Sequence, residues 1–305
     1  MVFGPRSLRH VSPVLLPLLA LAGSICTVSC RTTDASTSAQ NVRLLTGPSG
    51  GAYFPLGRAL ADVYNAKIPQ VRVSAEGADG PTGAGGNAEA IESGHADLAF
   101  SRSDLAYVAF RNATARNGEQ QGHVRAMAVL YTNAVHVLVR RGSGIKKWSD
   151  IRGKRVQLGD ESGASAGRLA RMIPEGEALP LEDVQIVPNP RYAVTRLKAG
   201  ELDVRIFASA YPLSTIDGVG PESELDLLPI DSEAVDRLRS PFPFFKPSVI
   251  PKGTYRGQDA DYPTVGIDGL LLCRDTVPES LVYQMTRSLF EALPDLIRAQ
   301  PAARL

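Results

Sequence analysis

Short β-rich runs alternate with segments of helical periodicity from residue 41 onward, and this alternation constrains the fold more than any other feature. The run NVRLLTG (41–47) precedes a segment in which Leu56, Leu60 and Val63 share one helical face. The same order of strand, loop and helix recurs as far as LDVRIFA (202–208). The pattern predicts an α/β fold with parallel strands joined by crossover helices.

The number of predicted strands suggests two lobes. About ten strands are more than one compact open sheet carries with such short connections. We expect a lobe I of residues 42–135 plus 246–305 and a lobe II of residues 136–245, with VRAMAVLYTNAVHVLVRR (124–141) forming two strand-like runs. The chain would return near RSPFPFFKPSVIPKG, and VGIDGLLLC would rejoin the first sheet as a strand. PESLVYQMTRSLFEAL would close the fold as an amphipathic helix.

The first 29 residues have the features of an export signal. Arg6, Arg9 and His10 precede a short apolar core, VSPVLLPLLALA. That core is well below the roughly 18–20 residues that span a bilayer as a helix. TVSC places Cys30 at the position of a bacterial lipidation site, and the polar residues after it, through 41, would form a flexible tether. We expect export to the periplasm or the outer face of the membrane, with a lipid anchor at Cys30.

Charge and cysteine content exclude several classes of protein. The net charge is +1, and without Arg6 and Arg9 of the leader it is near −1, so the basic surface of a nucleic-acid-binding protein is absent. Within residues 42–305 Cys273 is the one cysteine, and its apolar surroundings predict a buried thiol. The four histidines show no metal-like spacing, so neither a metal nor a cofactor is expected.

The stretch GPSGG raises the possibility of a serine nucleophile, because G-x-S-x-G occurs at residues 47–51 and again at 163–167. Ser165 has no histidine after it. Ser49 is followed by histidines but lies on the first strand after the leader, with no earlier strand to supply an oxyanion loop. A hydrolase therefore remains an alternative that the order of elements does not favour.

The same residues also fit a binding site for a small anion. Four loops rich in glycine, serine or both end a strand and open a helix: residues 47–53, 101–104, 159–167 and 208–214. In open α/β sheets such loops lie where ligands bind, and helix N-termini favour anions. Tyr53 and Tyr211 either pack on the ligand or are half-buried aromatics. Arg102 either pairs with a ligand carboxylate or points into solvent, and Asp104 is interpreted as a helix cap.

Several segments in order resemble the TAXI family, the extracytoplasmic solute receptors of tripartite ATP-independent periplasmic (TRAP) transporters. They are TGPSGGAYFPLGRALADVYN, GHADLAFSRSDLAYVAF, SDIRGKRVQLGDESGAS, ASAYPLSTI and PSVIPKGTYRGQDADYPTVGI, and the resemblance runs from about residue 42 to 300. It implies a type II periplasmic-binding-protein fold, two α/β lobes joined by hinge crossings with the ligand in the cleft. It also implies membrane permease subunits as partners.

The resemblance further implies a ligand class and a set of ligand loops. Similar receptors bind glutamate, glutamine-like compounds or 2-oxoglutarate-type dicarboxylates, and no catalysis is expected. The ligand-binding residues carried onto this chain are Ser49, Gly50, Gly51, Ala52, Tyr53, Arg102, Ser103, Ser162, Gly163, Ser165 and Tyr211. Two other functions stay open: an exported enzyme that uses the same cleft, either serine hydrolase-like or prephenate dehydratase-like, and a lipoprotein adhesin or sensor without a permease.

Three departures from the family pattern bear on the ligand. Arg102 precedes Ser103 and Asp104 where many members have glutamine, so a positive group can enter the site. The loop PTGAGGN has glycines where a Ser-Val-Glu type run is common, and the chain stops at QPAARL, before the His-Pro-Gly-Ala type tail of many members.

Overall fold

Strands and helices alternate along the chain as the sequence predicts. The computed structural model describes residues 39–49, 51–78, 83–116, 122–159, 164–188 and 192–301, the side chains of 164–168 excepted. The strands are β1 (Gln40–Leu45), β2 (Val71–Glu76), β3 (Leu98–Arg102), β4 (Val124–Arg140), β5 (Arg155–Leu158), β6 (Gln185–Ile186), β7 (Val204–Ser209), β8 (Leu225–Leu227), β9 (Phe245–Ile250) and β10 (Tyr262–Arg274). The helices are α1 (Tyr53–Lys67), α2 (Asn87–Glu92), α3 (Ser103–Arg116), α4 (Ala164–Gly176), α5 (Ala193–Lys198), α6 (Ser232–Arg239), α7 (Glu279–Glu291) and α8 (Leu293–Ala299).

The ten strands of the described ranges belong to one mixed sheet, in the order β2-β1-β3-β10-β4-β7-β5-β6, with β8 on β4 and β9 on β10. β1 is parallel to β2 and β3, and β5 is parallel to β6 and β7, which confirms the predicted parallel pairing with helical crossovers. In the middle, β10 is antiparallel to β3 and β4, and β4 is antiparallel to β7. The expectation that ten strands exceed one sheet is therefore wrong.

Two long strands make the single sheet possible. β4 pairs with β10 over Val124–Ala134 and with β7 over Ala134–Val139. One strand therefore joins the two ends of the sheet. The predicted division of this stretch into two runs is wrong for the same reason. The register between β4 and β10 shifts twice, between Gly269 and Leu270 and between Leu271 and Leu272. Such bulges bend and twist a strand, which lets β4 change neighbours without a turn.

Buried apolar side chains form separate groups at the two ends of the sheet. Leu44, Phe100 and Leu271 belong to one group, which packs under α1 and α7. Ile206 and Ile267 belong to another, which packs under α4 and α6. β4 and β10 contribute buried residues to both groups, so these two strands connect the two cores.

Other segments differ in detail from the sequence prediction. The stretch around RSPFPFFKPSVIPKG contains strand β9, and β8, α6 and α8 were not predicted. The closing amphipathic helix is confirmed as α7. Cys273 is buried as predicted, and burial raises the pKa of its thiol. Cys30 and the leader lie outside the described residues, and within the described ranges no helix has the length and apolar character needed to cross a membrane.

Candidate ligand-binding site

A pocket of about 160 Å³ lies in the middle of the fold, where strands from both ends of the sheet terminate. Since β3 is antiparallel to β10, β10 to β4 and β4 to β7, strands β3 and β7 run in opposite directions. Their carboxyl ends, at Arg102 and Ser209, therefore approach the pocket from opposite sides. The wall consists of Gly47, Pro48, Gly51, Ala52, Tyr53, Ala84, Gly85, Arg102, Leu105, Tyr131, Asn133, Ala208, Ser209 and Ala210.

The turn between β1 and α1 forms one side of the pocket. The Gly51 N–H donates to the Pro48 carbonyl over 2.8 Å, and α1 begins at Tyr53. A Cβ on Gly47 would lie 3.0 Å from the Cβ of Tyr53, so a larger residue would push the turn away from the helix. Pro55 lies in the first turn, as predicted. The positive end of the helix dipole is thus held at the pocket wall by a compact turn.

The half-buried Tyr53 and the buried Tyr131 and Asn133 line the floor. The Tyr53 hydroxyl donates to the Ser101 carbonyl over 3.2 Å, and its ring centroid lies 5.6 Å from that of Tyr131. Burial raises the pKa of both hydroxyls well above the ordinary value, so both stay protonated at neutral pH, with the proton of Tyr53 directed to Ser101. Asn133, on the same face of β4 as Tyr131, adds an amide at the wall.

The charged group at the pocket is an ion pair. Arg102 Nε lies 3.0 Å from Asp104 Oδ1 and Arg102 Nη2 lies 2.9 Å from Asp104 Oδ2, with side chains only 11% and 9% exposed. The interpretation of Arg102 as a residue pointing into solvent is therefore wrong. The positive charge acts on the pocket, since it opposes the rise in the Tyr53 pKa that burial produces. Asp104 compensates much of that charge.

The other predicted site residues divide into several groups. Gly51, Ala52, Tyr53 and Arg102 line the pocket, whereas Ser49 is exposed outside its wall. Ser103 is half-buried, and its Oγ is shielded from solvent without a hydrogen-bond partner. Gly50, Ser162, Gly163 and the side chain of Ser165 lie outside the described residues. Tyr211 lines a different cavity of about 540 Å³ with Thr132, Pro251 and Lys252.

The sequence interpretation missed Tyr131 and Asn133. Both lie in the apolar run AVLYTNAVHVLV, which predicts a core strand and nothing more. The available signal was Asn133 itself, because a polar amide in a buried strand needs partners. Thr132, between them, points to the opposite face, where its hydroxyl donates to Asp268 over 3.0 Å.

The three histidines that follow Ser49 are each bonded elsewhere. His95 Nδ1 lies 2.7 Å from Ser93 Oγ, and His123 Nδ1 lies 3.0 Å from Asp275 Oδ1. His136 is fully buried between the Ala134 carbonyl and the Tyr255 hydroxyl. The partners in these contacts are residues other than Ser49, so the contacts give the serine hydrolase alternative no support. Of the residues that the structure describes, no three His, Cys, Asp or Glu are grouped as a metal site.

Comparison with known proteins supports this architecture. A TctC solute-binding protein from Polaromonas, solved without ligand, is 16% identical, with a TM-score of 0.50 over 86% of this chain and 88% of that one. A Xanthomonas citri protein solved with bound ATP is 14% identical, with a TM-score of 0.50 over 87% of this chain and 88% of that one. At such identities the likeness shows the fold, which is the mixed α/β fold of solute-binding proteins.

The sequence model of the NMT1-like family matches residues 44–305, which include every described strand and helix except the beginning of β1. The expected resemblance to solute receptors is confirmed at the level of fold, whereas the TAXI subfamily stays a prediction. The chain belongs to the NMT1-like family.

Proposed function

We propose that this protein is an extracytoplasmic solute-binding receptor of a transporter and that it captures a small carboxylate or amino acid in the pocket between the two cores. The observation that carries the proposal is the convergence of the α1 start, Arg102 and the end of β7 on one pocket. The solute-binding-protein fold supports it independently. No reacting group is required for capture, which agrees with the positions of the histidines.

The groups at the wall suit a carboxylate. Helix N-termini and an arginine both favour anions, and the Tyr131 hydroxyl stays protonated, whereas the Tyr53 hydroxyl already donates its proton to the Ser101 carbonyl. Because Asp104 offsets the charge of Arg102, the pocket has a moderate positive potential rather than a strong one. We infer that one carboxylate binds here, with glutamate and 2-oxoglutarate as the first candidates.

Capture would proceed by closure of two lobes, residues 42–135 plus 246–305 and residues 136–245. The two core groups support a division into two lobes, with β4 and β10 as the crossings between them, but Val265 and Ile267 of the first lobe pack in the core group of the second. A ligand that contacts both lobes stabilises the closed state and shifts the equilibrium towards it. In this proposal the edges of the pocket at Ala52 and Ala210 belong to different lobes.

Delivery would be to the permease subunits of a TRAP-type transporter, with the receptor tethered by a lipid on Cys30. The resemblance to TAXI receptors supports this setting, and the expected export signal agrees with it. A lipoprotein sensor would bind the same ligand without a permease. Uptake of radiolabelled ligand into vesicles that carry candidate permease subunits, with and without the receptor, separates the two.

Calorimetry tests the binding proposal. The purified protein is unfolded, dialysed and refolded to remove any carried ligand, and is then titrated with monocarboxylates, dicarboxylates and amino acids. We expect saturable 1:1 binding of at least one carboxylate, accompanied by a higher melting temperature. Absence of saturable binding by a refolded protein with native circular dichroism would contradict the proposal.

A further inference from the structure

A second cavity of about 490 Å³ adjoins the proposed ligand pocket, and the proposed function assigns it no role. It lies between α3 on one side and α4 with the segment before β9 on the other. Its apolar wall consists of Tyr107, Val108, Leu169, Met172, Phe242 and Phe244. The rings of Tyr107 and Phe244 meet edge to face across it, with centroids 5.6 Å apart. We call this space the apolar chamber.

The two cavities share part of their walls. Gly85 and Leu105 line both, so a residue without a side chain and one half-buried leucine lie where the two spaces adjoin. The ion pair lies across the same boundary, with Arg102 lining the pocket and Asp104 lining the chamber. The two spaces therefore adjoin at Leu105 and at the ion pair.

The sizes of the two spaces favour one ligand that uses both. Sites for organic ligands span roughly 300–1,000 Å³, and the pocket of about 160 Å³ is below that range by itself. The chamber, at about 490 Å³, is within it. The pocket thus has room for a small polar head group, whereas the chamber has room for a side chain.

The chemistry of the chamber selects an apolar side chain. Aliphatic, aromatic and thioether groups form most of its wall, and Met172 and the aromatic rings can adapt to flat or branched groups. The acidic group in its wall, Asp104, is already paired with Arg102. The other acid, Glu89, is exposed at the rim, together with Asn112. A carboxylate placed in the chamber would lose its hydration and meet these acids, which opposes binding.

We propose that the apolar chamber is a subsite for the ligand tail, and that the preferred ligand is a carboxylate or amino acid with an aromatic or branched apolar side chain. This inference rests on the proposed function, because the head group is taken to bind in the pocket at Arg102. Among the carboxylates and amino acids of the proposed function, it favours ligands with one charged end over glutamate and 2-oxoglutarate, which have two.

The test compares acids that share a head group and differ in the tail. The refolded protein is titrated by calorimetry with pyruvate, 2-oxoglutarate and phenylpyruvate, and separately with alanine, glutamate and phenylalanine. Burial of a phenyl-sized group predicts that the aromatic member of the preferred series binds about tenfold or more tightly than the others. Equal affinities, or tightest binding of the dicarboxylate, would overturn the subsite.

Variants that fill the chamber provide the second arm. Val108→Trp, from α3, and Met172→Trp, from α4, should each remove the preference for the aromatic acid over pyruvate or alanine. Val249→Trp, at an exposed position of β9, is the matched control and should keep the preference. Circular dichroism identifies any variant that does not fold. If either folded filling variant keeps the full preference, the tail does not bind in the chamber.

The two proposals fail in different ways. Binding of pyruvate and 2-oxoglutarate, or alanine and glutamate, without any gain from the aromatic tail overturns only the subsite. If no acid of either series binds, the proposed function is contradicted and the subsite with it.

Discussion

Arg102 and Asp104 form a two-pronged ion pair across the junction of β3 and α3, with separations of 3.0 Å from Nε to Oδ1 and 2.9 Å from Nη2 to Oδ2. The pair holds a cation at the wall of the proposed ligand pocket while compensating much of its charge. Removing one partner therefore has two effects, one on the stability of the fold and one on the charge that a ligand meets.

Arg102→Gln should weaken the binding of doubly charged acids more than that of neutral amino acids. The substitution leaves the carboxylate of Asp104 mostly buried without its partner, so the site becomes more negative. The same loss should lower the free energy of unfolding by up to about 3 kcal/mol. Calorimetry measures the affinities, and urea denaturation measures the stability.

Companion variants separate charge from stability in this prediction. Asp104→Asn should increase affinity for diacids, and the double variant should recover stability relative to Arg102→Gln. Arg298→Gln breaks an exposed ion pair with Asp295 and should change neither quantity measurably. Equal affinity losses for diacids and neutral amino acids in Arg102→Gln would show that the net charge of the ion pair does not discriminate between them.

Tyr131→Phe should reduce ligand affinity about two- to tenfold without a comparable loss of stability. The substitution removes one buried donor, worth roughly 0.5–1.5 kcal/mol, and keeps the ring that packs 5.6 Å from Tyr53. Tyr262→Phe is the control, because its hydroxyl donates to Asp226 over 3.0 Å outside the pocket wall. If calorimetry shows that Tyr131→Phe binds the ligand with unchanged affinity, the Tyr131 hydroxyl does not contact the ligand.

Gly269→Ala should impair ligand binding by displacing Tyr53. A Cβ at residue 269 would lie 2.9 Å from the Tyr53 hydroxyl oxygen, which is too close for an undisturbed ring. We expect a cost of about 1–3 kcal/mol in stability and a clear loss of affinity. Gly144→Ala, at φ +79° with open space around the position, should cost stability through the backbone alone and keep the affinity. Equal affinities for the two variants would contradict the role of this contact.

His136 should make the fold less stable as the pH falls from about 6.5 towards 4. Burial, together with repulsion by Arg205, lowers the pKa of its imidazole to about 4, although the hydrogen bond to the Ala134 carbonyl opposes the shift. In that window the unfolded chain binds the proton more readily, so acidification favours unfolding, by up to about 3 kcal/mol once the pH is below 4. Above about pH 6.5 this group has no effect on stability.

Denaturation at several pH values checks the role of His136. Because the Ala134 carbonyl only accepts, Nδ1 carries the proton, and Nε2 accepts from the Tyr255 hydroxyl at 2.7 Å. His136→Gln should flatten the pH dependence between 6.5 and 4. His95→Gln, at an exposed position, should leave it as it is. If the free energy of unfolding of His136→Gln still falls between pH 6.5 and 4, groups other than His136 cause the pH dependence.

Much of the fold follows from periodicity, and its exceptions have physical causes. The sequence predicts β1, β2 and α1 because each of them buries one face in the usual pattern. β4 was divided wrongly because its bulges put Leu130 and Tyr131, which are adjacent, both in the interior. A bulge breaks the two-residue period, so the sequence resembles two strands where the chain forms one.

The sequence predicts the parts of the site that are formed by loops. It does not predict the parts that depend on the direction of individual side chains. The turn before Tyr53 is evident from its glycines and from Pro55. The pairing of Arg102 with Asp104 is not, because the two residues are only two apart and their contact depends on how β3 passes into α3. The contribution of Asn133 requires the spatial meeting of β4 with the β1–α1 turn, which no local pattern encodes.

Native mass spectrometry of the freshly purified protein tests the central claim most directly. The account predicts a single small carboxylate bound 1:1, released on denaturation, identifiable by its mass and diminished in Gly269→Ala but not in Gly144→Ala. A protein that carries no small acid, and that binds none when carboxylates and amino acids are added back before the measurement, would contradict the account.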